Sequence, residues 1–101
     1  MWAQQIRQRY TRPINVDDWR DFATATVEAL DEVSGFAGQL ALLSISRTEL
    51  TVIWLWDSRA ACDANADFQD TVLKTLGALV GEDPELAVES LEVLDYHTAP
   101  A

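Results

Sequence analysis

The sequence has one cysteine, Cys62, and one histidine, His97, among its 101 residues. An internal disulfide is therefore excluded, and a zinc site of the usual His/Cys kind lacks its ligands. Positive charge is scarce: seven Lys and Arg face 17 Asp and Glu, for a formal net charge of −10. A phosphate backbone would be repelled, so nucleic acid is not an expected partner. Long apolar runs are missing too. The longest, Leu50 to Trp56, contains Thr51 and falls far short of the roughly 20 apolar residues that span a bilayer, so no membrane segment is expected. No apolar core follows Arg7, Arg9 and Arg12 to make a secretory signal, and the expected location is cytoplasmic. Gly-rich phosphate loops, EF-hand patterns, Gly-x-Ser-x-Gly elbows and His-Glu-x-x-His pairs are absent, which removes support for nucleotide-binding and hydrolase readings. Asp63, Asp67 and Asp70 stand three or four apart. Such a row reads as a solvated helix face, and no metal is expected.

What is present fits one small domain over residues 1–101, with 49% hydrophobic and 24% charged positions. Trp2, Ile6 and Tyr10 share one parity with Gln4 and Gln8, which predicts a strand of mixed polarity. After Pro13, Asn15 is placed to cap a helix whose first turn carries Asp17 and Asp18. Its apolar stripe runs through Trp19, Phe22, Ala23, Val27, Leu30 and Val33, and Ser34 and Gly35 end it. Gln39–Ser46 and Leu50–Trp56 read as a hairpin around Arg47, Thr48 and Glu49. Both parities of its second strand are apolar, which puts that strand in the middle of the sheet. Ser58 starts a second helix, whose stripe of Ala61, Asn65, Phe68, Val72, Leu76 and Leu79 ends at Gly81, with a break capped by Asp67. Leu86–Tyr96 supplies a fourth strand.

The order β-α-β-β-α-β predicts an α+β, ferredoxin-like chain: a four-stranded antiparallel sheet with two helices on one face. Ile53 and Leu55 lie on the parity opposite Trp54 and Trp56, so one apolar sheet face is left without a cover. A second copy packed face to face supplies it, and a homodimer is expected. A chain of this length buries only about two-thirds of its unfolded surface alone, which adds to that expectation.

The Gly35-Phe36-Ala37-Gly38 step, the Trp56-Asp57-Ser58 close of the third strand and the Ala60-Ala61 helix entry resemble the antibiotic biosynthesis monooxygenase family, within the dimeric α/β barrel superfamily. The resemblance spans Trp2 to about Asp95. It implies oxygenation of anthrone-like or quinol-like molecules without metal or flavin, hence no cofactor, and a ligand lying between sheet and helices. Trp56 matches the tryptophan closing the third strand in the anthrone enzymes, and Asn65 matches an asparagine of their second helix. Many members carry histidine at that second place, and the haem-degrading branch carries tryptophan. The anthrone enzymes have an asparagine and a tyrosine where Val52 and Cys62 stand.

Candidate catalytic residues are thus Asn65 and Trp56, and candidate ligand contacts are Trp54, Trp56, Asn65, Phe68 and Phe22. Trp54 and Trp56 share a strand face and form either an aromatic wall for a flat ligand or core. The Asn65 amide on an apolar stripe needs a partner, either a substrate oxygen or a backbone group at a helix break, since leaving it unpaired costs about 1–3 kcal/mol. A base is not evident: His97 lies near the chain end, Tyr10 and Tyr96 are weaker candidates, and Cys62 reads as a small packed residue. Arg7 and Arg9 are expected to pair with carboxylates, including those of the terminal strand. Two functions compete. One is a cofactor-independent monooxygenase acting on a small aromatic or polyketide-like molecule; the other is a non-catalytic binding or structural homodimer with a filled pocket, for which Val52 and Cys62 argue. An isomerase or decarboxylase on the same fold is a third, lacking a visible acid or base.

Overall fold

The computed structural model describes residues 1–100, with the side chains of all but 66–69. The elements are β1 (Trp2–Arg9), α1 (Val16–Asp31), β2 (Phe36–Leu43), β3 (Glu49–Trp56), α2 (Arg59–Ala64), α3 (Ala66–Val80) and β4 (Glu85–Glu92). The strands form one antiparallel sheet in the order β2-β3-β1-β4, so β3 is central, as its two apolar parities require. This is the ferredoxin-like arrangement.

Local chemistry sets most of the boundaries. The Asn15 side chain accepts from the backbone N–H groups of Asp17 and Asp18, and Ser58 accepts from that of Ala61. Gly81 closes α3 in the left-handed region at φ 84°, with its N–H bonded to the Gly77 carbonyl. β2 begins three residues before the expected Gln39, because Gly35 at φ 88° turns the chain so that Phe36 already opposes Trp56. α1 stops at Asp31, ahead of Ser34, where the Val33 N–H turns back to the Leu30 carbonyl. The second helix does break, but at Asn65 rather than Asp67, whose side chain lies outside the described residues.

Pleating divides the side chains. Ile6, Leu50, Val52, Trp54 and Trp56 point to the helix layer and are buried with Leu30, Cys62, Leu73 and Leu76. Gln4 and Gln8 share that parity and are buried too. On the opposite face Leu40 is 52% exposed and Leu42 50%, beside half-buried Ile53 and Leu55 and partly exposed Leu91. Arg7 and Arg9 stand on this open face and pair with Glu49, and Arg9 also with Glu85 of the terminal strand.

Glu82 ties the β1–α1 loop to the end of α3: its carboxylate accepts from the Thr11 N–H at 2.9 Å, the Arg12 N–H at 2.8 Å and the Thr11 hydroxyl at 2.8 Å. The Thr11 hydroxyl bond is the chief reason that its pKa lies below the ordinary 4.5. A carboxyl with a depressed folded-state pKa contributes stability above the unfolded value and loses it as pH falls through the folded value. Glu82→Ala is therefore expected to lower the melting temperature at pH 7, with the gap from wild type narrowing as pH drops below 4.5. Melting curves at pH 7 and at about pH 3 check this; a gap equal at both would place the effect outside the carboxylate.

Candidate functional site

Between sheet and helices lies a narrow apolar cleft. Ile6, Val52 and Trp54 form its floor, Trp19 and Phe22 of α1 and Leu73 of α3 its roof, and Gln8, Thr26 and Gln39 its polar groups. The polar groups are already engaged. The Trp54 indole N–H donates to Gln39 Oε1 at 2.8 Å, the Tyr10 hydroxyl donates to Gln8 Oε1 at 2.8 Å, and Thr26 Oγ1 donates to the Phe22 carbonyl at 2.9 Å. The free volume is about 20 Å³, enough for one water. A flat ligand enters only if the half-buried roof rings of Trp19 and Phe22 swing aside.

The cleft brings together two residues marked by the sequence, Trp54 and Phe22. Trp56 lies two residues further along β3, fully buried, with its ring edge-on to Phe36 at 5.5 Å between centroids. Its Nε1–H has no acceptor among the described residues. A buried indole N–H normally finds a partner, so this donor is the least satisfied group near the site. Asn65 stands at the α2–α3 corner with φ −110° and ψ 19°, half-buried. Its Nδ2 donates to the Ala61 carbonyl at 2.7 Å, the backbone partner at a helix break that was one of the two expected alternatives. One amide hydrogen remains for another acceptor. The Phe68 side chain lies outside the described residues.

Sequence reasoning missed Trp19 and Gln39 as site residues, and saw Gln8 only as a polar interruption of β1. The signal for Gln8 was its parity with Ile6, which put a polar side chain on the buried face. Gln39 carried none, because its partner Trp54 is fifteen residues away.

Among the described residues no titratable side chain lines the cleft. Nearby, burial first and the Glu82 charge second push the Tyr10 phenol up to about 12, which keeps it protonated near neutral pH. Tyr10 is thus a donor, not a base. Burial also raises the Cys62 thiol, against an opposing hydrogen bond from Ser90, so Cys62 stays a protonated, packed side chain. His97 is exposed beyond β4. Among the described residues no three His, Cys, Asp or Glu side chains are grouped to hold a metal ion, and no helix is long and apolar enough to cross a membrane.

No protein-family model and no curated protein matches this sequence. Solved structures do match. One is a candidate antibiotic biosynthesis monooxygenase from Deinococcus radiodurans, 13% identical, with a TM-score of 0.69 and 100% of each chain covered. A mutant of SnoaB, a cofactor-independent oxygenase from Streptomyces nogalater, is 13% identical at a TM-score of 0.69, covering 94% of each chain. A dimeric ferredoxin-like protein from an uncultured marine organism is 10% identical at 0.69, covering 95% of this chain and 97% of the other. At such identities the likeness is one of fold: the chain has the ferredoxin-like fold that antibiotic biosynthesis monooxygenases share.

Proposed function

We propose that the chain is a single-domain cytoplasmic homodimer that binds a small aromatic or polyketide-like molecule between sheet and helices and oxygenates it with dioxygen, using no cofactor. The observation that carries this reading is the cleft itself, where the rings of Trp19, Phe22 and Trp54 surround an apolar space free of charge. Such a lining suits a flat, electron-rich ring once Trp19 and Phe22 swing aside to admit it, and it keeps bulk water away from that ring. The oxygenase named among the structures of the same fold supports the reaction class.

With no base among the described residues that line the cleft, this reading calls for a substrate acidic enough to lose its own proton to water and to give an electron to dioxygen from its anion. An anthrone meets both needs: its CH₂ becomes C=O, one oxygen atom is inserted, the other leaves as water, and no external reductant is consumed. In this reading Trp54, Phe22 and Phe68 hold the ring, while the Trp56 N–H, without an acceptor among the described residues, and the second amide hydrogen of Asn65 stand outside the cleft lining and meet the oxygen on which charge develops only if the ligand extends past Trp54 toward the end of β3.

The dimer is supported by the open sheet face, where Leu40, Leu42, Ile53, Leu55 and Leu91 leave an apolar surface of the kind that marks association. The net charge of −10 argues against nucleic acid as a partner, and the free thiol of Cys62 fits a reducing compartment. A second reading, a non-catalytic dimer with a filled pocket, is favoured by one observation: the cleft has room for about one water.

Native mass spectrometry paired with oxygen uptake separates the two. A dimer that turns anthrone into anthraquinone with one O₂ consumed, and slows by about tenfold or more in Asn65→Ala and Trp56→Phe, supports the oxygenase. A dimer with no uptake above blank over an anthrone and quinol panel leaves the filled-pocket reading standing. A monomer at micromolar concentration would remove the face-to-face assembly.

A further inference from the structure

A second hollow, about 290 Å³, opens where the start of α1 faces the β2–β3 hairpin. It goes beyond the proposed oxygenase site and does not rest on it. Ile14, Ala41 and Leu50 line it with apolar surface, Trp19 forms one wall, and Arg20 and Arg47 are its charged members. Among the described residues no carboxylate lines it, in a chain with 17 acidic residues and seven basic ones. Two of those seven cations therefore share one apolar hollow, which is the reverse of the overall charge.

Arg47 is held there by the backbone. It is the one non-glycine residue with positive φ among those described, at 63°. A large side chain rarely takes this conformation, and where it persists the surroundings must fix it. They do so at both ends: the Arg47 N–H donates to the Ser44 carbonyl at 2.9 Å, and the Arg47 carbonyl accepts from the Ile14 N–H at 2.7 Å. The Ser44, Ser46 and Thr48 hydroxyls run in a hydrogen-bonded chain across the same turn, at 3.1 and 2.8 Å. Arg47 makes no ion pair among the described residues, and Arg20 has only an exposed contact of 3.9 Å with Asp17. The Arg47 backbone is thus fixed at the rim of the hollow, and its guanidinium is not neutralised by a carboxylate among the described residues.

We propose that this hollow binds a small aromatic carboxylate, with its ring against Trp19 and the apolar floor and its carboxylate on the Arg47 guanidinium, Arg20 adding a second positive charge. A planar guanidinium matches a carboxylate with two parallel N–H···O bonds, and the apolar walls strengthen them by thinning the solvent. The volume, at the low end for ligand pockets, limits the ligand to one or two fused rings.

The test titrates wild type with 1-naphthoate and with neutral 1-naphthylmethanol, following the indole N–H signals of Trp19 and Trp54 by NMR. Naphthoate is expected to bind about tenfold or more tightly than the alcohol and to move the Trp19 signal. Arg47→Gly is expected to abolish that preference without lowering the melting temperature, since glycine accepts φ 63° without strain. Arg47→Lys is expected to keep part of the preference, as a point charge without the fork. Equal affinity for the two probes, or unchanged naphthoate affinity in Arg47→Gly, overturns the proposal. So does naphthoate that moves the Trp54 signal, with or without that of Trp19, which would place it in the cleft that both rings line. Oxygen uptake is a separate readout, so loss of either reading leaves the other to be judged on its own.

Discussion

Trp56→Ala is expected to remove about 3–5 kcal/mol of folding stability, whereas Trp56→Phe removes less than about 1.5 kcal/mol. The ring is fully buried and packs edge-on against Phe36 across the β2–β3 ladder, opposite Trp2 in the β1–β3 ladder. Truncation to a methyl group at the closed end of the sheet leaves a cavity that neighbouring strands, fixed by their hydrogen bonds, cannot fill. Phenylalanine keeps most of the ring and deletes the Nε1–H. That donor has no acceptor among the described residues, so its removal takes away a desolvated polar group rather than a hydrogen bond. The regained desolvation, about 1–3 kcal/mol, offsets the lost volume. Urea unfolding at one fixed protein concentration measures both variants, the concentration mattering if the chain dimerises. A phenylalanine variant as unstable as the alanine one would mean that the N–H is paired after all. The same variant serves the proposed function: stability kept while anthrone turnover falls would assign the N–H to the reaction and not to packing.

The sequence made the order of elements legible because each carries a strong local signal. Asn15 and Ser58 cap helices, Gly81 ends one, and β3 is apolar on both parities. The open apolar face followed from the same parity argument, through Ile53 and Leu55. What stayed hidden depends on partners far apart in the chain. The Gln39–Trp54 bond joins two strands fifteen residues apart; the helix break, by contrast, is local, and it falls at Asn65, whose amide donates to the Ala61 carbonyl, two residues before the Asp67 expected to cap it. Arg47 looked like an ordinary turn residue, since its left-handed φ is imposed by Ile14 and Ser44 and not by its own type. Of the candidate site, strand parity placed Trp54 on one face of β3 with Trp56, and helical spacing placed Phe22 on the apolar stripe of α1; that Trp54 and Phe22 line one cleft depends on how the two layers pack. The narrowness of the cleft was not readable either, because a void of about 20 Å³ is a difference between side-chain volumes that only packing decides.

Gly35→Ala is expected to cost about 2–5 kcal/mol, and Gly81→Ala only about 1–2 kcal/mol, although both glycines sit at nearly the same positive φ, 88° and 84°. The backbone strain of a left-handed alanine is common to the two. The surroundings differ. A Cβ on Gly35 would lie 2.6 Å from the Ala61 Cβ and 2.9 Å from Asp57 Oδ1, while one on Gly81 would meet only the flexible end of Arg12 at 3.3 Å. At Gly35 the neighbours cannot yield easily: Ala61 belongs to α2, and the Asp57 N–H is bonded to the Gly35 carbonyl at 2.8 Å. These residues belong to the three short motifs quoted for the family resemblance, Gly35-Phe36-Ala37-Gly38, Trp56-Asp57-Ser58 and Ala60-Ala61, and Gly35, Asp57 and Ala61 meet at one corner of the fold. The pattern thus has a steric reason that applies whether or not the chain is an oxygenase. Chemical denaturation of both variants gives the comparison, and Gly35→Ala/Ala61→Gly closes a double-mutant cycle. Partial recovery in the double variant, beyond the sum of the single effects, would confirm the contact. Strict additivity, or equal losses at Gly35 and Gly81, would show that φ alone governs both sites and that the corner is looser than its distances imply.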